Sequence, residues 1–220
     1  MTMNPMREDA FSWIGQEPTL ELSAPAWREW NRNVESVLRG IAHALNNRAA
    51  ALSAVIELAG DDDDRGSTSS ILKTELHKVR DLSAVIRTLG KPRQGKEAFA
   101  PREAAADAML VLGVHADQRE RATLIEASNG AAVRVERWMY VRALVTLVAS
   151  VPIGGATTHS VKVEVVEDGD WVVTRAGAAT GRLADRSDYT CELARAMGGE
   201  ALDDGYGFRL PSLAMLRRLD

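Results

Sequence analysis

The stretch "RGIAHALNNRAAALSAV", residues 39–55, decides how the first half of the chain is interpreted. It contains no proline, and apolar residues recur in it at alternating steps of four and three. This spacing is typical of a long helix with one apolar side. A single histidine, His43, lies in its middle, and Asn47 follows one helical turn later on the same face. Three roles are therefore open for His43: packing in a core, binding a metal, or acting as a nucleophile.

The apolar pattern extends from this stretch in both directions along the chain. It runs from Trp27 to Gly60 without a proline, over roughly thirty residues that a helix would span in about eight turns. Ser23 is the predicted N-cap, and Pro25 falls in the first turn, where proline is tolerated. The sequence therefore predicts one long amphipathic helix that begins near Ser23.

A second helix is predicted after the segment "GDDDDRGSTSS", with Ser67 or Thr68 as its N-cap. Its apolar pattern runs from about Ser69 to Leu89. Two long helices joined by a short loop form a helical hairpin. A single hairpin leaves an apolar face uncovered, and two copies would cover it by forming a four-helix bundle. The sequence therefore predicts a homodimer.

The pattern changes after the segment "GKPRQGK", which has the composition of a linker. Helical segments then alternate with β-branched runs, and two β-hairpins are predicted around Asp168-Gly169 and Asp204-Gly205. Segregated helices and antiparallel hairpins indicate a two-layer α+β domain. We therefore divide the chain into a lead-in at 1–24, a helical hairpin at 25–92 and an α+β domain at 93–220.

Composition excludes several classes of protein. The chain has 220 residues, of which 45% are hydrophobic and 26% are charged, and its net charge is −4. This composition is ordinary for a globular protein, and the lack of a basic excess predicts no nucleic-acid partner. No apolar run is long enough to cross a bilayer, and the first residues lack the pattern of a secretory signal. With Cys191 as its lone cysteine, the chain is expected in a reducing cytoplasm.

The order of these elements resembles the core of a bacterial two-component histidine kinase. The segment "IAHALNN" is similar to the H-box of that family, in which Asn or Thr follows the histidine at +4. "RWMYVRALVTLVAS" corresponds to the helix that carries the N-box, and "WVVTRAG" to the strand before the first glycine motif. The end of the chain, "LARAMGGEALDDGYGFRLPSL", matches the last helix and hairpin of the family. The resemblance covers about residues 27–217 and implies that His43 accepts a phosphoryl group, with Asn47 orienting the reacting groups.

The sequence departs from that family at the positions that hold ATP. The N-box helix ends at 148–150 without the asparagine that holds Mg²⁺ and phosphate. Arg175 or a neighbour replaces the aspartate that binds adenine, and a cation cannot accept that hydrogen bond. The lid is reduced to "AATGRLADRS", in which Gly181 is the only glycine. In addition, Ala44 follows His43, where the family often has a carboxylate. The resemblance therefore implies a degenerate ATP-binding domain that binds neither a cofactor nor a metal.

These features predict a dimeric histidine phosphotransferase of a phosphorelay. It would shuttle a phosphoryl group between the aspartates of response-regulator receiver domains through His43, without ATP. Asn46, Ala50 and Ala54 are predicted to contact the receiver, and the small side chains of the two alanines leave room for a partner helix. The receiver would supply the Mg²⁺ that neutralises the phosphoryl charge.

Two other functions remain open at this stage. The first is an atypical histidine kinase that still uses ATP through a rearranged site. The second is a non-catalytic scaffold or inhibitor, which would bind receiver domains or a kinase without His43 ever being phosphorylated. A nucleotide-binding measurement separates the first from the phosphotransferase, and acid-labile label on His43 separates the second.

The remaining reactive residue types receive structural interpretations. His77, His115 and His159 have no partners at metal-ligand spacing, and we predict that they are surface or capping residues. The aspartates at 61–64 lack the spacing of a calcium loop, so a solvated hairpin tip is predicted. Cys191 is predicted to be a small buried residue on a helix.

Overall fold

The computed structural model describes residues 21–59, 65–89, 95–118, 122–128, 130–152, 160–178, 186–204 and 206–219. Over these ranges the chain combines a helical hairpin with an α+β domain. The elements are α1 (Ala24–Ala59), α2 (Arg65–Leu89), β1 (Glu97–Phe99), α3 (Pro101–Val114), β2 (Ala122–Ala127), β3 (Val133–Val135), α4 (Arg137–Ala149), β4 (Ser160–Asp168), β5 (Trp171–Ala178), α5 (Asp188–Ala196), β6 (Glu200–Ala201), β7 (Gly207–Pro211) and α6 (Leu213–Leu219). No helix within the described ranges has both the length and the apolar character to cross a membrane.

The start of α1 agrees with the prediction from the sequence. The backbone N–H of Ala26 donates to Oγ of Ser23 at 3.4 Å, and that of Trp27 donates to the Ser23 carbonyl. By contrast, α2 begins at Arg65, so Ser67 and Thr68 lie inside the helix and are not its N-cap. Ser and Thr lower helix stability only by tenths of a kcal/mol, so a helix continues through them at little cost.

A buried ion pair ties the two helices of the hairpin together. The guanidinium of Arg48, the one polar break in the apolar pattern of α1, lies 3.1 Å from the carboxylate of Glu75 on α2. Lys78 contacts the same carboxylate at 2.8 Å. The hydrogen bond from Lys78, together with Arg48, lowers the pKa of Glu75, although desolvation acts in the opposite direction. The polar break in the pattern is thus a cross-helix contact.

The main sheet has five strands in the order β2-β4-β5-β7-β6. Its β4–β5, β5–β7 and β6–β7 pairs are antiparallel, but β2 and β4 are parallel, which corrects the prediction of antiparallel hairpins alone. The parallel pair arises because α4 lies between the two strands and returns the chain to the same end of the sheet. The turn of the β4–β5 hairpin is Gly169-Asp170, one residue later than predicted, and Gly169 has a φ of +60°.

Strand β4 shows how the sheet forms a two-layer domain. Its alternate residues are buried in the core, and these are Val161, Val163 and Val165. Lys162 lies on the opposite face, where it pairs with Glu126 at 2.9 Å and Glu164 at 2.6 Å. One face of the sheet therefore packs in the core and the other is charged and open to water.

The first half of α1 belongs to the same core as the α+β domain. Trp30 stacks on Tyr189 of α5 with ring centroids 5.0 Å apart, and the N–H of Tyr189 donates to Glu29. The guanidinium of Arg142 lies over the rings of both Trp30 and Trp138, at 4.8 Å and 4.7 Å. Beyond Ile41 no side chain described on α1 is buried. The helix is thus anchored at one end and presents His43 just past the anchored part.

Candidate functional site

His43 is exposed on α1, two residues beyond the buried Ile41. The amide nitrogen of Asn47 lies 3.3 Å from Nε2 of the imidazole and donates to it when that nitrogen is unprotonated. The spacing of four residues brings the two side chains together on one face of the helix. The ring is therefore accessible to a partner and has one neighbour that orients it.

On the C-terminal side of the imidazole, the surface of α1 carries small or uncharged side chains. Asn46, Ala50 and Ala54 are all exposed, and the two alanines continue the face of His43 along α1. A partner helix approaching this face would meet the amides of Asn46 and Asn47 beside the ring and only Cβ atoms at Ala50 and Ala54. The positions of these residues on the helix are those expected from the sequence, and their contact with a partner stays a prediction.

The other residues singled out from the sequence are distributed over the molecule. His77 is exposed on α2, and Cys191 is buried on α5, as predicted. Burial raises the pKa of the Cys191 thiol. His159 and the aspartates at 61–64 lie outside the described residues. Among the residues that are described, no cluster of three or more His, Cys, Asp or Glu is placed to hold a metal ion.

The prediction that His115 is a surface or capping residue is half wrong. It does cap α3, and its N–H donates to the carbonyl of Leu112, but only 3% of the residue is exposed. Nε2 of its ring lies 3.4 Å from Oδ1 of Asn33 on α1, and the N–H of Asp117 donates to Nδ1. The end of α3 packs against α1, and this packing buries the ring.

A polar cleft of about 480 Å³ lies where α1 meets the ends of α3 and α4. The sequence did not predict this cleft, because its lining residues come from three separate segments, 29–36, 115–118 and 146–152, and carry no motif. The hydroxyl of Ser36 donates to Asp117 at 2.6 Å across its wall. Its lining residues are Glu29, Arg32, Asn33, Ser36, His115, Asp117, Gln118, Thr146, Ala149, Ser150, Val151 and Pro152.

The electrostatic environment of this cleft keeps His115 neutral near pH 7. Burial lowers the pKa of its imidazole, and the positive charge of Arg39 acts in the same direction. Asp117 opposes both effects. A neutral ring accepts from the N–H of Asp117 at one nitrogen and donates from the other to Asn33, so its hydrogen bonds fit the uncharged form.

Two of the sequence positions that depart from the ATP site of histidine kinases lie in the described residues. On α4, the hydroxyl of Thr146 donates to the carbonyl of Arg142 at 2.9 Å, and the hydroxyl of Ser150 donates to that of Leu147 at 2.9 Å. These groups serve their own helix and offer no asparagine amide to Mg²⁺ and phosphate. Arg175 is exposed on β5. Gly181 lies outside the described residues.

The comparison with known proteins yields structural neighbours only. No protein-family model matches the sequence, and no curated protein matches it. The chain is similar to the solved structure of the histidine kinase AdeS of Acinetobacter baumannii, with 12% identity over 78% of this chain and 98% of that one, at a TM-score of 0.41. It is also similar to a histidine kinase from Burkholderia phymatum, with 13% identity over 87% of this chain and 99% of that one, at a TM-score of 0.40.

A third neighbour is described as a bacterial phosphotransferase. It shares 15% identity over 87% of this chain and 98% of that one, at a TM-score of 0.38. Similarity at this level concerns the backbone fold. The roles of individual residues have to be argued from the side chains of this chain.

Proposed function

We propose that the chain is a histidine phosphotransferase of a two-component phosphorelay, in which His43 carries a phosphoryl group between receiver-domain aspartates. The observation that carries the proposal is the exposed imidazole of His43, contacted by Asn47 at 3.3 Å on a helix that is anchored nearby. An exposed, oriented imidazole is what a phosphoryl carrier needs, because the protein mainly has to position donor and acceptor in line.

The transfer step uses few groups of this chain. Nε2 of His43 attacks the phosphorus of the aspartyl phosphate, an N–P bond forms, and the P–O bond to the aspartate breaks. The aspartate leaves as a carboxylate, and the second ring nitrogen shares the positive charge of the adduct. As Nε2 bonds to phosphorus, the amide of Asn47 is released to donate to a phosphoryl oxygen. The reverse sequence delivers the group to a second aspartate.

The receiver domain would approach along the face of α1 that carries His43, Ala50 and Ala54. Ala50 and Ala54 offer no side chain beyond Cβ, and Asn46 supplies an amide at the edge of this face. The Mg²⁺ that neutralises the phosphoryl charge belongs to the receiver in this scheme. The α+β domain would hold α1 in place and bind no ATP, since the groups that hold Mg²⁺ and adenine are absent from the positions described above.

A second copy of the chain would cover the exposed apolar residues of the hairpin. On α1, Leu38, Leu45 and Ile56 are 53%, 41% and 67% exposed. On α2 the exposed apolar residues are Ile71, Leu72, Leu76 and Ile86. Two hairpins paired through these residues form a four-helix bundle. His43 lies about 160° around α1 from Leu45, so dimerisation leaves the imidazole accessible.

We also propose a cytoplasmic location for the protein.

The experiment is transfer from a panel of purified receiver domains that have been phosphorylated with a small-molecule phosphodonor. The wild type should take up label from at least one of them. His43→Ala should take up none, whereas His77→Ala, which removes another exposed helical histidine, should behave as the wild type. Stable binding of a receiver without any label would favour the scaffold, and label from ATP alone would favour the kinase.

A further inference from the structure

Three exposed arginines, Arg28, Arg32 and Arg39, lie in a row on α1 on the N-terminal side of His43. Their separations of four and seven residues, followed by four more to His43, keep all four side chains within about 60° around the helix. The row is about 22 Å long from Arg28 to His43, at 1.5 Å per residue. A straight positive row therefore leads to the proposed phosphoryl carrier.

None of these three arginines forms an ion pair with any residue in the described ranges. Other exposed arginines, such as Arg102 and Arg134, also lack an ion pair in these ranges, so the row is distinguished by its alignment with His43 and not by the missing partners alone. Three carboxylates lie near the row, and two of them accept hydrogen bonds from other groups. Glu29 accepts from the N–H of Tyr189, Asp117 accepts from Ser36, and Glu35 is exposed beside the row without an ion pair.

Such a row creates a local positive potential on a chain whose net charge is −4. Unpaired guanidinium groups in line attract a partner of opposite sign and raise its association rate. They also match carboxylates in a bidentate geometry. The charge of the row is therefore complementary to an acidic surface.

The row also has space beside it for the side chains of a partner. A groove of about 620 Å³ is lined by Arg28, Asn31, Arg32 and Glu35. The polar cleft at the end of α3 borders Arg32 on the other side. A standard interface covers about 800 Å² of each partner, roughly 30 Å across, so one domain is wide enough to contact the row and His43 together.

We propose that Arg28, Arg32 and Arg39 form an electrostatic docking strip for the acidic surface of the protein domain that exchanges a phosphoryl group with His43. This inference rests on the proposed function and adds to it a class of partner. A domain that carries its phosphoryl group on an aspartate beside Mg²⁺ has further carboxylates around that aspartate, because Mg²⁺ is held by carboxylates and phosphate oxygens. The strip guides these carboxylates toward the imidazole.

The test compares two double variants of the full chain that change the net charge equally. Arg32→Glu with Arg39→Glu reverses the strip, and Arg102→Glu with Arg134→Glu reverses two exposed arginines of the α+β domain. The donor is the receiver domain that transfers fastest to the wild type. At about 50 mM salt, the strip variant should lose about tenfold or more in kcat/KM for transfer, because steering is strong when screening is weak.

The salt dependence and the saturated rate separate docking from other roles. At about 500 mM salt the strip variant and the wild type should converge, because the Debye length falls to a few ångströms. The rate of phosphoryl transfer at a saturating concentration of the receiver domain should change little, since the strip does not touch the phosphoryl group. The control variant should stay within about twofold of the wild type at both salt concentrations. Arg32→Gln with Arg39→Gln gives a smaller loss in the same direction and replaces the reversal variant if that one fails to fold.

Each outcome decides the proposal. If the wild type accepts the phosphoryl group and the strip variant has the same kcat/KM as the control variant, the docking strip is refuted and the phosphotransferase function stands. If no receiver transfers to the wild type, the proposed function fails and the strip fails with it. A labelled 20-base-pair DNA duplex that binds the wild type and not the strip variant overturns the proposal in favour of a nucleic-acid surface.

Discussion

Gly40 of α1 lies directly against the backbone carbonyl of Val114 at the end of α3, so closely that a Cβ atom on Gly40 would overlap the carbonyl oxygen. The N–H of Ala116 donates to the carbonyl of Ser36 at 3.2 Å beside this contact. The helix that carries His43 and the α+β domain therefore meet backbone to backbone. Gly40 is required there for close approach.

Gly40→Ala should destabilise the protein by about 1–3 kcal/mol, because the added methyl group forces α1 away from α3. In an exposed helix interior the same change would stabilise by up to about 1 kcal/mol, so the sign itself is informative. Gly113→Ala is the matched control, since Gly113 is exposed on α3 and a Cβ there meets nothing within 4 Å. Denaturant unfolding measures both, and stabilisation by Gly40→Ala would refute this packing of α1.

Glu75→Gln should lower the melting temperature at pH 7, because it removes the carboxylate that Lys78 and Arg48 contact. The pKa of Glu75 is lowered in the folded protein, so its ionised form stabilises the fold above the ordinary carboxyl pKa. That contribution is lost as pH falls through the folded value. The difference between Glu75→Gln and wild type should therefore shrink below about pH 4.

Glu57→Gln serves as the control for this pH dependence. Glu57 is exposed on α1 and has no ion pair with a described residue. Its replacement should leave the melting curve nearly unchanged at both pH values. A Glu75→Gln effect that is as large at pH 3 as at pH 7 would argue that the residue acts through packing and not through charge.

Leu45→Asp should convert the proposed dimer to a monomer without unfolding it. Leu45 is 41% exposed in the single chain, so the aspartate is solvated there and becomes costly only when a second copy covers it. Ile41, four residues earlier on α1, is only 4% exposed, so Ile41→Asp should unfold the junction instead. Light scattering measures the mass. A Leu45→Asp variant that stays dimeric would contradict pairing through this face.

Mg·ATP at millimolar concentration should produce no thermal shift and no autophosphorylation. A ligand at a hundredfold excess over its Kd stabilises the folded state by about 2.7 kcal/mol, which a melting experiment detects readily. We expect none, because Thr146 and Ser150 on α4 donate to their own helix and Arg175 supplies no carboxylate. A clear shift would instead support the kinase.

The two long helices and the strands β4 and β5 followed directly from the sequence, because their signals are local. The N-cap at Ser23 and the periodic apolar residues define α1, and the β-branched runs on either side of a glycine define β4 and β5. The first residue of α2 was harder to predict, since Ser67 and Thr68 favour a cap but are also tolerated inside a helix.

The junction between α1 and the α+β domain was not predictable in the same way. The apolar pattern of α1 predicts a face that a second copy covers, but its residues Trp30, Val37 and Ile41 are buried in the core shared with the second half. Apolar periodicity shows that a face is covered and not which surface covers it. The burial of His115 by Asn33 depends on the same long-range contact, which no local pattern records.

The most direct test of the central claim is to map the phosphorylated residue after incubation with a phosphorylated receiver domain. We predict a single acid-labile phosphohistidine at His43, absent from His43→Ala, whose stability should change by only about 1 kcal/mol or less because the ring is exposed. Asn47→Ala should slow the transfer without abolishing it. Label that persists in His43→Ala, or that maps to His77 or another residue of the wild type, would contradict the account.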